Sequence, residues 1–160
     1  MFRSRNRVDG LLGSKLYSEQ SFYSALTNDL KRARSIVVIE SPYITVKRIE
    51  MLLPILKRLR KKGVKLVINT KHPEEHSYIL REQAEIGINE LQLSGATVLF
   101  TGNHHRKLAI IDNHILWEGS LNILSQYDSC EIMRRIDSIE LCKEMIKFSG
   151  LSKWYTRGKL

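Results

Sequence analysis

Residues His105 to Asn122 read HRKLAIIDNHILWEGSLN. Within this stretch His105, Lys107 and Asp112 are spaced H-x-K-x4-D, and after six more residues Gly119, Ser120 and Asn122 spell G-S-x-N. LAII is a short, largely β-branched run, DNH is a turn signal and ILWEG resumes as a second strand, so the stretch predicts a hairpin. Side chains alternate across a strand, which puts His105 and Lys107 on one surface and Asp112, seven residues on, at the opposite parity. An imidazole and an ammonium then share a face, the aspartate braces the hairpin, and Asn122 brings an amide back to the shared surface. These three groups without a carboxylate cluster suit a phosphate oxyanion better than a metal ion. The plain alternative is two ordinary strand residues at a sheet edge.

At these spacings the stretch resembles the signature of the phospholipase D superfamily, with every specified position filled. The resemblance is specific over residues 105–131 and extends in outline from Ser18 onward. It implies an α/β fold, a mixed β-sheet sandwiched between helices, and phosphodiesterase chemistry without metal or other cofactor. His105 would attack phosphorus and become a phosphohistidine, and Lys107 and Asn122 would hold the non-bridging oxygens. Ser120 would hydrogen-bond within the site. Glu131, in SCEIM, matches the acidic residue that orients the nucleophilic histidine, the alternative being a strand-edge carboxylate with no catalytic task. Asp112 and Gly119 are expected to support the site structurally. The family's site is built from two such motifs and this chain carries one. The resemblance therefore extends to small bacterial nucleases that form homodimers, in which a second His105 protonates the leaving oxygen.

At 160 residues the chain suits one domain with a proper core. Its 42% apolar and 27% charged residues are ordinary for a soluble globular protein. The formal charge of +9 is not, and it favours polyanionic partners, nucleic acid first and anionic membrane second. No apolar run approaches the roughly 18 residues that span a bilayer, and MFRSRNRVDGLLGSK lacks the apolar core of a secretory signal. Cys130 and Cys142 lie near apolar residues with no C-x-x-C pattern, which reads as reduced core thiols. A cytoplasmic setting follows as the expectation.

In chain order, residues 1–17 read as a basic arm or edge segment, with Arg3, Arg5 and Arg7 either touching phosphate or simply solvated. Residues 18–160 read as a single phospholipase D-like domain. Ser18 is the expected N-cap of a helix carrying Phe22, Leu26 and Leu30 at helical spacing. SIVVIE reads as a strand buried on both faces, ended by Pro42. A helix over residues 46–62 contains Pro54, which predicts a kink or a restart, and closes at Arg60, Lys61, Lys62 and Gly63. VKLVIN and ATVLF are further strands, with a helix between them ending near Gly95. CEIMR is a last short strand, and a final helix is expected to start at Asp137 with Glu140 as its capping-box partner and Ile139, Cys142, Met145 and Ile146 inward. This alternation predicts a largely parallel sheet with helices on both faces and antiparallel additions.

Among the remaining histidines, His104 has the wrong parity to work with His105, and His114 sits in the hairpin turn. His72 and His76 are four apart but lack a third metal ligand. Trp117 is expected in the core or at a dimer interface. The KRLRKKGVK run offers Lys57, Arg58, Arg60 and Lys61 as phosphate contacts or as a solvated helix end, and Arg106 is the better candidate for gripping a DNA backbone. The leading reading is a metal-independent nuclease, an endonuclease on DNA with RNA as a further substrate, acting as a homodimer away from membranes. The alternatives are a phospholipid hydrolase or phosphatidyltransferase, and a non-catalytic nucleic-acid-binding module.

Overall fold

The computed structural model describes residues 13–125 and 128–156, so the arginines of the N-terminal arm lie outside the described residues. The elements run β1 (Ser14–Ser18), α1 (Glu19–Arg32), β2 (Ile36–Glu40), α2 (Val46–Lys61), β3 (Lys65–Thr70), α3 (Tyr78–Leu93) and β4 (Thr97–Phe100). The hairpin β5 (Leu108–Ile111) and β6 (Ile115–Gly119) follows, then β7 (Ile132–Asp137), α4 (Ile139–Ser149) and α5 (Ser152–Thr156). Residues 14–17, placed with the arm by composition, form most of β1, an edge strand paired along β7.

All seven strands form one sheet in the order β1-β7-β6-β5-β2-β3-β4. Only the β2–β3 and β3–β4 pairings are parallel; the other four are antiparallel. The expected largely parallel sheet is thus a mixed one. Helical crossovers force parallel pairing only while they last, and after β4 the chain returns through loops and a hairpin. Alternation along the strands separates two cores. Val37, Ile39, Leu66 and Ile68 pack with α1, α2 and α3 on one face, and Ile36, Val38, Val67 and Ile110 pack with α4 and α5 on the other. β2 is buried at all five positions, as its unbroken apolar run requires.

Local chemistry accounts for most boundaries. Ser18 caps α1 in a reciprocal arrangement with Ser21. α2 continues unbroken past Pro54, an exposed position, so the expected restart does not occur. The last helix begins two residues later than predicted. Asp137 is still in β7, where its carboxylate lies 2.9 Å from Nε2 of His114, and Ser138 instead caps α4 by accepting from the Leu141 N–H. On α4, Cys142 and Ile146 face the core and Ile139 is exposed. Trp117 is fully buried, its Nε1 donating to Asp29, whose carboxylate also receives the Arg135 guanidinium.

The hairpin turn is held by Asp112. Asp112 and Asn113 adopt positive φ values of 52° and 57°, a conformation that short Asx side chains tolerate. The Asp112 carboxylate accepts from the backbone N–H groups of Arg34, Ser35 and Ile36 and from the Ser35 hydroxyl, at 2.8–3.0 Å. It thereby ties the β5–β6 turn to the start of β2. Burial pushes its carboxyl pKa up, but the donors from Ile36, Ser35 and Arg34 outweigh burial and hold it below the ordinary 3.8. A depressed folded value means that this stabilisation is complete above the unfolded pKa and is lost as pH falls through the folded one. Asp112→Ala should lower the unfolding free energy by about 2–4 kcal/mol near neutral pH in urea titrations. The deficit should shrink only in strongly acid solution.

Candidate active site

The strand directions gather the chemistry at one end of the sheet. β2, β3 and β4 end there, β5 begins there, and the antiparallel return of β6 and β7 brings Gly119 and Ile132 to the same end. His105, Lys107, Ser120, Asn122 and Glu131 therefore leave adjoining strand ends, whereas Asp112 lies at the opposite end of β5. Gly119 permits this closure. A Cβ on it would sit 2.1 Å from the Ile132 carbonyl oxygen and 2.8 Å from the Met133 sulfur.

The loop entering β5 is anchored by a pair that sequence reasoning did not single out. Glu40, the last residue of β2, is fully buried. It accepts two hydrogen bonds from the Arg106 guanidinium and a third from Asn69 Nδ2 at 2.8 Å, and Asn69 Oδ1 in turn accepts from Thr101. Arg106, read as a grip on DNA, spends its fork on this buried carboxylate while its side chain stays 40% exposed beside the motif. The only sequence signal was an acid closing an otherwise apolar, doubly buried strand.

On either side of this anchor, His105 is exposed and Lys107 half-buried, with Lys107 Nζ donating to the His105 carbonyl at 2.8 Å. Burial pushes the Lys107 pKa down, the Glu131 carboxylate opposes that shift, and the Lys71 ammonium adds to it. Glu131 immediately precedes β7, which starts two residues later than expected. Its backbone N–H donates to Glu19 and its carboxylate accepts from Ser129. Ser120 exchanges hydrogen bonds with the backbone of Ile132, fixing the G-S-x-N loop onto β7. Asn122 lines a cavity of about 470 Å³ with Glu131, Tyr23 and Arg48, and its Oδ1 is buried without a partner.

Other predicted residues lie apart. His104 is buried; burial pushes its pKa down, with Glu40 opposing and Arg106, Lys107 and His105 reinforcing. Lys57, Arg58, Arg60 and Lys61 sit at the end of α2, and a crossover helix runs antiparallel to its strands. They accordingly occupy the far end of the sheet from His105, and Arg60 is occupied with the Val64 carbonyl. His72 caps the short turn Pro73–Glu75 by accepting from the Glu74 N–H. Cys142 is buried, but Cys130 is exposed beside the site rather than in the core. Among the described residues no group of three or more His, Cys, Asp or Glu is placed to hold a metal ion, and no helix is long and apolar enough to cross a membrane.

Residues 26–151 match the family described as cardiolipin synthase, PLD-like domain. The chain belongs to the phospholipase D superfamily. Its fold is similar to that of the phospholipase D family member Nuc from Salmonella typhimurium, at 15% identity and a TM-score of 0.68 over 84% of this chain and 90% of that one. NucT from Helicobacter pylori gives 21% identity and a TM-score of 0.65, over 84% and 91%. TrmBL2, an archaeal chromatin protein with a novel mode of DNA binding, gives 12% identity and a TM-score of 0.56, over 88% and 52%. No curated protein sequence matches the chain.

In this phospholipase D-type site, Arg106→Ala leaves a buried Glu40 carboxylate without its guanidinium. The expected loss is about 3 kcal/mol of unfolding free energy in urea at neutral pH. If the residue anchors the loop and does not grip a ligand, the salt dependence of DNA binding, which counts phosphate contacts, should keep the wild-type slope.

Proposed function

We propose that the protein is a metal-independent phosphodiesterase, and specifically a nuclease that cleaves DNA, with RNA as a further substrate. The observation that carries this reading is the set of groups at one sheet end: the exposed His105, the half-buried Lys107, the unpartnered amide oxygen of Asn122, and Glu131 close enough to influence Lys107. His105 attacks phosphorus, forming a P–N bond as the bond to the leaving oxygen breaks. A second imidazole protonates that oxygen, then takes a proton from water, whose oxygen displaces the histidine and regenerates it. Histidine suits both roles because its ring nitrogens can attack, accept a proton and donate one. Lys107 and Asn122 offset the charge that develops on the non-bridging oxygens, Ser120 holds the loop that carries Asn122, and Glu131 orients His105.

His105 is the motif's one exposed imidazole at this sheet end, since the adjoining His104 is buried and His114 lies in the turn at the other end. Two-fold pairing of two copies, with the sites facing each other, supplies the second. The net charge of +9 supports a polyanionic substrate, as does the resemblance in fold to the DNA-binding TrmBL2. The free Cys130 and Cys142 fit a reducing, cytoplasmic setting. A second reading, phospholipid hydrolysis or phosphatidyl transfer, is favoured by one observation, the description of the matching family.

Single- and double-stranded DNA and RNA should be cleaved in excess EDTA, and His105→Ala should abolish the activity. Lys107→Ala should lower kcat by about 10²–10³-fold. Sedimentation should show a dimer at assay concentrations. Loss of cleavage in EDTA would sink the histidine mechanism. Turnover of phospholipid vesicles with no cleavage of any nucleic acid would favour the second reading, and DNA binding without cleavage, unaffected by His105→Ala, would make the protein a binding module.

A further inference from the structure

Lys71 follows directly on β3, at the same sheet end as the motif. It is only 8% exposed, yet its Nζ makes no hydrogen bond or ion pair with any described residue. Its one close partner is a ring: Nζ lies 5.1 Å from the centroid of Tyr43. The other neighbour of that ring is His76, at 5.1 Å between centroids, and His76 Nε2 is buried without a partner. The nearby Glu75 carboxylate accepts from the backbone N–H groups of Asn103 and His72, and it faces Lys71 and His76 electrostatically without a hydrogen bond to either. His76 Nε2 is thus a buried nitrogen without a partner, and the Lys71 ammonium beside it rests on a ring with no hydrogen-bonded acceptor among the described residues, an arrangement that a bound anion completes.

The loop carrying Tyr43 is joined to the catalytic loop. The Ser41 hydroxyl donates to the Tyr43 carbonyl and accepts from the Leu124 N–H, two residues beyond Asn122, and the Thr45 N–H donates to the Leu124 carbonyl. Thr70 adds a side-chain contact to the Pro42 carbonyl. The group is therefore braced against the G-S-x-N segment.

We propose that Lys71, seated on the Tyr43 ring beside His76, forms a second anion-binding subsite that takes a backbone phosphate adjoining the scissile one. This rests on the nuclease reading and narrows its substrate to chains with successive phosphodiesters. The electrostatics agree. Lys71 depresses the pKa of Lys107, behind burial and against Glu131, and it depresses that of His76, behind burial and against Glu75, so the two lysines repel each other until an anion lies between them. Successive phosphates of a nucleic acid supply that charge at regular spacing.

The test compares a thymidine oligonucleotide with bis(p-nitrophenyl) phosphate, which has one phosphodiester and no neighbouring phosphate. Lys71→Met should lower kcat/KM for the oligonucleotide about tenfold more than for the small diester, chiefly through KM, and Lys71→Arg should restore most of the difference. Tyr43→Leu, which removes the ring, should reproduce part of the loss. Equal losses on both substrates would place Lys71 on the scissile phosphate, and no loss on either would make it a structural lysine; either result overturns the proposal. If the wild-type protein cleaves neither substrate, the nuclease reading fails independently of the subsite. The subsite is then read by titrating inorganic phosphate and following the His76 imidazole by NMR. A shift that disappears in Lys71→Met supports an anion site, and no shift overturns it.

Discussion

The arrangement of the site depends on the buried carboxylate of Glu40. A charge at the end of a doubly buried strand is unfavourable unless it is paired and fully hydrogen-bonded, and here the two oxygens receive Arg106 and Asn69. Satisfying Glu40 has a geometric by-product. Arg106 must turn inward, and the residues on either side of it are left to turn elsewhere. His105 and Lys107 thus gain their separation from the core through the side chain between them. Asn69 passes the constraint on to Thr101, so that the ends of β2, β3 and β4 and the entry to β5 are tied into one polar layer over the apolar sheet.

That layer explains why the chemistry collects where it does. A sheet of crossover units places helix N-termini and strand C-termini at one end. Adding an antiparallel hairpin and β7 to such a sheet feeds further loops to the same end without another helix. The H-x-K entry, the G-S-x-N exit and Glu131 are three successive crossings of that boundary. Asp112 lies at the other boundary and keeps β5 in register with β2, and a one-residue slip would exchange the faces of every side chain on the strand. The proposed catalytic members of this short motif and the bracing Asp112 are therefore about a strand length apart, and they act on each other only through the sheet.

The parts of the fold written in short-range pattern were legible in the sequence: the hairpin, its Asp-Asn turn, the buried run of β2, the cap at Ser18 and the ends of α2 and α3. What was not legible depended on where the chain lies in space. The basic residues of α2 read equally as phosphate contacts or as a solvated helix end, because charge density carries no direction. Only the crossover geometry sends Lys57, Arg58 and Lys61 away from His105. The pairing of Arg106 with Glu40 was not legible because the two are 66 residues apart. Lys71, Tyr43 and His76 show no local motif, since three loops bring them together. The late start of α4 has one cause: Asp137 remains in the β-ladder, and Ser138 is left to make the cap. Cys130 read as a core thiol because its neighbours are apolar, but β7 begins only after it.

The two kinds of positive charge in this protein have different physical work. Lys57, Arg58 and Lys61 are exposed and hydrated, so each contributes little to any one contact. Their effect is through the summed field of a chain with a net charge of +9, which speeds the encounter with a polyanion and fades with salt. Lys71 and Lys107 are partly withdrawn from water, and that withdrawal strengthens the interactions they make, including their mutual repulsion. A folded chain holds such a pair only where the surrounding structure over-determines their positions. Here that structure is the polar layer on Glu40 and the Ser41 bridge to the G-S-x-N loop. In the proposed nuclease, the same rigidity would let an arriving phosphate be stabilised without reorganisation, which is the requirement for electrostatic catalysis at phosphorus.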